Sequence, residues 1–220
     1  MATFKNRVDA GKKLADKLSD YSDKDNVIIL ALPRGGAPVA FEVAKKINAP
    51  LDVFLVRKLG VPGREELAMG AIASGGVRVL NDDILRMLSI PDEGINRVAE
   101  KEQKELERRE IEYRGDRQEL DVKGKICILI DDGLATGASM RAAIKALQQM
   151  EPAKIVVAVP VGASEVCEGF ENEADEVICA ATPEPIHAIG AWYDNFSQTT
   201  DDEVRAILAE ADKLVKSNAG

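Results

Sequence analysis

The sequence holds a single histidine, a single tryptophan and three cysteines in 220 residues, and aromatic side chains make up 4% of it. With His187 alone there is no set of imidazoles for a zinc site, and Cys127, Cys167 and Cys179 stand far apart with no C-x-x-C pair among them. An odd, scattered cysteine count gives no disulfide framework and fits a reducing compartment. No apolar run reaches the eighteen or so residues that a membrane-spanning helix needs. Met1–Leu18 mixes lysine, arginine and aspartate into its apolar positions, unlike a signal peptide. The cytoplasm is therefore the expected location. Positive charge is also scarce: 29 Lys and Arg against 38 Asp and Glu leave a net charge of −9, the wrong sign for a duplex nucleic-acid binder. A small anion, which needs only a few local donors, is not excluded.

What is present is ordinary globular composition, 45% hydrophobic and 30% charged, long enough to bury a core without staples. At ~150 residues per domain the expectation is one domain, residues 1–220, with an insertion. Short β-branched runs alternate with helical periodicity. Lys5–Leu18 reads as an amphipathic helix; Val27–Leu32, Leu51–Val56, Ile126–Ile130, Ile155–Val159 and Val177–Ala180 read as strands apolar on both faces. Helices are expected from Pro38 to about Ile47 and through Met140–Met150. The capping box Thr200–Glu203 announces a last helix. This alternation predicts an α/β fold, a parallel twisted sheet flanked by helices. Two segments break the rhythm. Lys58–Leu80 is glycine-rich and reads as a long loop with one or two irregular strands. Asp92–Tyr113 is over half charged and reads as a long exposed helix whose ion pairs form a solvated face.

The segment with chemistry written into it is Ile126–Ser139, ICILIDDGLATGAS. A buried strand delivers Asp131 and Asp132 at its carboxyl end, the place where open α/β sheets bind ligands. Gly133, Leu134, Ala135, Thr136, Gly137, Ala138 and Ser139 then bend into a helix whose first amides can hold a phosphate. Acids beside an anion cradle make sense if the ligand is a phosphorylated sugar, whose hydroxyls donate to the acids while its phosphate docks in the loop. No lysine precedes the Ser/Thr as in a Walker A loop, and the dinucleotide glycine spacing is absent.

This stretch resembles the 5-phosphoribosyl 1-pyrophosphate (PRPP) signature of type I phosphoribosyltransferases. The resemblance extends over about Val27–Phe196. Arg34, Gly35 and Gly36, in Leu32–Gly36, look like that family's pyrophosphate loop, in which it often has an unusual peptide geometry; taken alone P-R-G-G is a plain turn. Arg57 and Lys58, in Val56–Gly63, are similar to the R-K-x-G-x-x-P loop of adenine phosphoribosyltransferases, which closes over pyrophosphate; an ordinary basic strand end is the alternative. R-K-L-G, Ala68–Ala73 and Ala191-Trp192-Tyr193 are shared with family members of uncertain substrate.

The resemblance implies a Mg²⁺-dependent transfer from PRPP to a nitrogenous base, a purine ahead of a pyrimidine, with release of pyrophosphate. The acids would hold the ribose hydroxyls, with Mg²⁺ carried by PRPP and water near them rather than by direct protein ligands. A lid and helical insertion at about 58–120 and a hood at about 181–200 are expected. Trp192 or Tyr193 could stack on the base, and Trp192 could equally anchor the last helix. A homo-oligomer is compatible with the family. Ala135 stands where hypoxanthine-type enzymes carry an aspartate, so the ring proton must be managed elsewhere. Glu65 and Glu66 are candidates by position, though surface acids beside Arg64 would look the same. A regulator that binds PRPP or a nucleotide without transferring anything is the alternative function.

Overall fold

The computed structural model describes residues 3–118, 120–186 and 188–218, with side chains described up to residue 214. His187 lies outside the described residues. Five strands, β1 (Val27–Ala31), β2 (Leu51–Val53), β6 (Ile126–Ile130), β7 (Lys154–Val161) and β8 (Glu176–Ala181), form one sheet in the order β2-β1-β6-β7-β8, every neighbouring pair parallel. Helices α1 (Arg7–Lys17), α2 (Gly36–Ile47), α5 (Ala138–Gln148), α6 (Ser164–Gly169) and α7 (Asp201–Asn218) connect or flank these strands.

Alternate residues of each strand serve opposite faces. Ile29 and Ala31 of β1 and Ile128 and Ile130 of β6 join one core with Leu14 of α1, Val39 and Val43 of α2 and Leu208 of α7. Ile28 and Leu30, with Cys127 and Leu129, join the other with Met140, Ile144 and Leu147 of α5 and Phe170. A sheet covered on both faces must be apolar on both, hence the unbroken runs in the sequence. Caps fix the helix starts. Asn6 accepts from the Asp9 amide at 2.9 Å, and Thr200 and Glu203 bond reciprocally, at 2.7 Å from the Thr200 amide and 3.2 Å from the Glu203 amide.

Three readings of the sequence need correction. Lys58–Leu80 is no loop: β3 (Val56–Val61), β4 (Arg64–Ala73) and β5 (Val77–Leu80) make a separate antiparallel sheet, with register shifts around Gly60. Second, the expected strand Leu51–Val56 ends at Val53, and Val56 opens β3 instead. Third, Cys167 and Cys179 are bonded as a disulfide between α6 and β8, leaving only Cys127 free among the described residues. The fold brings together two cysteines twelve residues apart, so the cysteine count lends no support to a reducing compartment. Two helices with little sequence signal also appear, α3 (Asp82–Leu88), capped by Asn81, and α6.

The charged segment is helical as expected. α4 (Asp92–Arg114) buries Ile95, Ala99, Leu106 and Tyr113 along one side, holds Glu102 and Arg114 in largely buried ion pairs with Arg57 and Asp52, and turns many of its other charges to solvent. Among the described residues no helix is long and apolar enough to cross a membrane.

Candidate functional site

Asp131 and Asp132 leave the carboxyl end of β6 side by side. The Asp132 amide donates to Asp131 Oδ1 at 2.8 Å. Burial and the neighbouring Asp132 carboxylate push the Asp131 carboxyl far above the usual carboxylate range, while a backbone hydrogen bond and Arg7 oppose them only in part. The Pro33–Gly36 turn after β1 faces this pair, and its Pro33–Arg34 peptide is cis. The Leu32 amide donates to the Ile130 carbonyl at 2.8 Å, drawing the two strand ends together. A Cβ at Gly35 would overlap the Asp132 carboxylate, so the turn approaches the acid as closely as a backbone can.

Asp132 has a partner that no local sequence pattern marks. Arg7, at the start of α1, brings Nε and Nη2 each to 2.8 Å from Asp132 Oδ2. Its Nη1 donates to the Ser197 carbonyl at 2.7 Å, and its guanidinium lies 3.9 Å above the Phe196 ring. Burial raises the Asp132 pKa and Arg7 pulls it back, the net shift being upward.

The loop from Gly133 to Ser139 has two halves. Leu134 is buried, and its amide donates to the Val161 carbonyl at 2.9 Å, so both its side chain and its amide serve the core rather than a ligand. Thr136 is exposed, as are Ala135, Ala138 and Ser139 to differing degrees along the outer half of the bend. Gly137 caps α5 in the left-handed region at φ 70° with no side chain of its own to cap it; the Ala138 amide makes only a long 3.4 Å bond to Thr136 Oγ1, an arrangement that suits a phosphate. Arg141 braces the bend from behind, donating to the Thr136 carbonyl at 3.0 Å and to Glu173 at 2.7 Å.

Each basic residue expected at the site is held by an acid. Arg34 sits 3.6 Å from Asp201 at the start of α7. Asp201 also accepts from the Tyr113 hydroxyl. Arg57 places Nη2 2.5 Å from Glu102 and Nη1 4.0 Å from Glu105, both on α4. Lys58 pairs with Glu66 at 3.3 Å. A small cavity of about 100 Å³ brings Asp131, Ser139, Pro33 and Arg57 together. Lys58, Glu65 and Glu66 are not among its walls; they line a larger cavity of about 470 Å³ between the β3–β4 hairpin and α4. Arg57 lines both cavities, meeting Asp131 in the small one, while Lys58 and the two candidate bases line only the larger.

The hood is built with help from the other end of the chain. Phe4 bridges to Tyr193 as a parallel pair, and the Thr3 and Phe4 amides both donate to the Trp192 carbonyl at 3.0 Å. Tyr193 is buried between Phe4 and Phe196, with centroids at 5.4 and 4.9 Å, and its hydroxyl donates to the Asp132 carbonyl at 2.6 Å. Its phenol is pushed up by burial and acts as a strut for the acid pair. The expectation of a Tyr193 ring open for stacking is corrected on that ground. Trp192 is half-buried against the same cluster, with Nε1 buried and unpartnered among the described residues.

No group of three or more His, Cys, Asp or Glu among the described residues could cage a metal ion. Asp131 Oδ2 and Asp132 Oδ1 carry no hydrogen bond among the described residues, and hard carboxylate oxygens suit Mg²⁺, which retains waters and substrate oxygens as its other ligands. Those two oxygens fit an ion that a substrate carries in.

A parallel sheet that meets an acid pair, a helix start and a close backbone turn at its carboxyl edge defines an α/β protein with the edge at which open sheets of this kind place their ligand sites. Residues 2–184 match the family model described as "Phosphoribosyl transferase domain", and the chain belongs to that family. It is 48% identical over 211 residues to the "Putative phosphoribosyl transferase" of Mycobacterium tuberculosis strain H37Rv, covering 96% of this chain and 47% of that protein. The chain thus spans about half the length of the curated relatives it matches. A crystal structure of TT1426 from Thermus thermophilus is similar at TM-score 0.84 and 41% identity, covering 96% of this chain and 99% of that one.

Proposed function

We propose that the protein is a cytoplasmic phosphoribosyltransferase that uses PRPP, Mg²⁺ and a nitrogenous base, a purine ahead of a pyrimidine, and releases pyrophosphate. We read residues 1–220 as one such unit, with its lid and helical insertion at about 58–120 and its hood at about 181–200. The observation that carries this reading is the meeting of Asp131 and Asp132 with the uncapped start of α5 and the Pro33–Gly36 turn. An acid pair can accept from two sugar hydroxyls while helix amides take the 5′-phosphate.

The reaction breaks the anomeric C–O bond through an oxocarbenium-like centre. The chain's contribution is position and charge rather than a covalent intermediate. Asp131 and Asp132 hold the ribose hydroxyls and face the developing cation; the amides and hydroxyls of Gly133–Ser139, apart from the engaged Leu134 amide, hold the phosphate. Arg34 and Arg57, released from Asp201 and Glu102, offset charge on the leaving group, and the β3–β4 hairpin brings Lys58 over it. Mg²⁺, when bound, supplies further charge neutralisation on the diphosphate. Trp192 is the remaining stacking candidate for the base.

A second reading rests on Ala135 and on the separation of Glu65 and Glu66 from the acids: with no base in reach, the chain would bind PRPP or a nucleotide as a regulator. Both are tested by incubating the protein with Mg²⁺, PRPP and a panel of bases. Pyrophosphate release with a purine, abolished in Asp131→Asn/Asp132→Asn with the circular dichroism intact, is the expected result. Tight PRPP binding without release on any base would favour the regulator. Unchanged rates in the double variant would remove the carboxylates from the mechanism, and absence of any PRPP or ribonucleotide binding would sink both readings.

A further inference from the structure

We propose that Arg109 of α4 is a fourth cationic ligand of the diphosphate group, beside Arg34, Arg57 and Lys58. This rests on the reading of the site given above and adds to it a residue from outside the two loops. Glu102, Glu105, Arg109 and Tyr113 recur every three or four positions and so share a face of α4. Leu106, fully buried in the middle of that stretch, fixes which way the face turns. It turns toward the small cavity, whose wall contains Leu106 and Arg109 together with Asp131, Ser139 and Arg57. A helix whose charges read as plain solvation in the sequence thus delivers one of them to the cavity that holds Asp131.

Arg109 also has donors to spare. Its Nε donates to Glu105 Oε1 at 2.9 Å, and neither Nη group has a hydrogen bond among the described residues. Arg57, by contrast, already spends Nε and Nη2 on Glu102. Glu105 is held at a pKa of about 2 by its hydrogen bonds from Arg108 and Arg109, so it stays anionic and keeps the Arg109 side chain oriented. A guanidinium fixed at Nε with its fork open matches two phosphate oxygens, which a lysine ammonium cannot do. The adjacent Arg108 pairs outward with Glu105 and Glu112 and is absent from the cavity wall. It provides a charge-matched control.

The test is calorimetric titration of the whole protein with inorganic pyrophosphate and Mg²⁺, and separately with ribose 5-phosphate. Arg109→Gln is expected to weaken pyrophosphate binding roughly ten- to hundredfold, the range for losing a charge-assisted hydrogen bond. Arg109→Lys should recover only part of that affinity, and Arg108→Gln should bind pyrophosphate as the wild type does. Ribose 5-phosphate affinity should stay as in the wild type, and thermal melts should match because the Arg109–Glu105 pair is partly exposed. Equal pyrophosphate affinity in Arg109→Gln and wild type overturns the assignment while leaving the site intact. Equal loss in Arg108→Gln overturns it as mere helix charge. A wild-type protein that binds ribose 5-phosphate but ignores pyrophosphate removes Arg109 and the leaving-group side together, and one that binds neither takes the whole site with it.

Discussion

Replacing Arg7 by glutamine should be the most informative single change outside the acid pair. The Arg7 and Asp132 side chains are 11% and 16% exposed, so their attraction is only weakly screened. Removing one member of a buried ion pair strands the other, at a cost of roughly 3–5 kcal/mol. Because both groups keep slight exposure at the cleft, the low end of that range, about 3 kcal/mol, is expected for Arg7→Gln. Adding Asp132→Asn should return much of the loss, since no charge then remains without a partner, and a double-mutant cycle should give a coupling of about 2 kcal/mol.

The deficit has a definite pH dependence. Burial already raises the Asp132 pKa in the folded state, and losing Arg7 raises it further. A carboxyl raised in this way costs stability increasingly as pH climbs from its unfolded-state value to its folded-state value, and costs nothing below both, where it is protonated in each state. The Arg7→Gln deficit should therefore be larger at pH 8 than at pH 5.5. Urea unfolding followed by circular dichroism, with Trp192 fluorescence as a local probe of the hood, measures both quantities. Coupling under about 0.5 kcal/mol, below the scatter expected of independent sites, or a deficit that grows toward acid would refute the argument.

Two further outcomes can be checked simply. Denatured without reductant, the chain should show one reactive thiol, rising to three after reduction; three at the outset would mean Cys167 and Cys179 are not bridged. In the native state Cys127, buried and pushed up to about 12, should resist a thiol reagent at pH 8, and rapid labelling would contradict that burial. Leu106→Ala should cost about 2–5 kcal/mol in unfolding free energy by the cavity it opens, and a cost under about 1 kcal/mol would mean that α4 is not seated on the core.

The parallel sheet and its acid-bearing loop were legible because each depends on local pattern. Ile126–Ile130 is apolar on both faces and DDGLATG follows at once, so strand, acids and helix start lie within fourteen residues. The antiparallel sheet was legible only as one or two irregular strands in a long loop because its glycines, Gly60 and Gly70, lie inside strands, where a loop reading is the natural one. Arg7 was invisible because 125 residues separate it from Asp132. Arg109 was hidden differently: one charge among many on a helix announces nothing until Leu106 shows which side is turned inward. The Cys167–Cys179 bridge depends on α6, a six-residue helix too short to leave a periodicity. Tyr193 had a motif, A-W-Y, but the motif could not tell a ring facing a ligand from one facing Phe4.

The backbone pairing of Phe4 with Tyr193 has a consequence for how the molecule comes into being. The acid pair and the phosphate bend are neighbours in sequence and can form early, yet the strut beneath Asp132 and the cation upon it come from Tyr193 and Arg7, far apart in sequence. During synthesis the first dozen residues must wait for the hood to emerge before their strand partner exists. Ligand affinity should therefore appear abruptly once Trp192 and Tyr193 have been made, and a nascent chain halted before Trp192 would carry the binding loop without the architecture that holds it in shape.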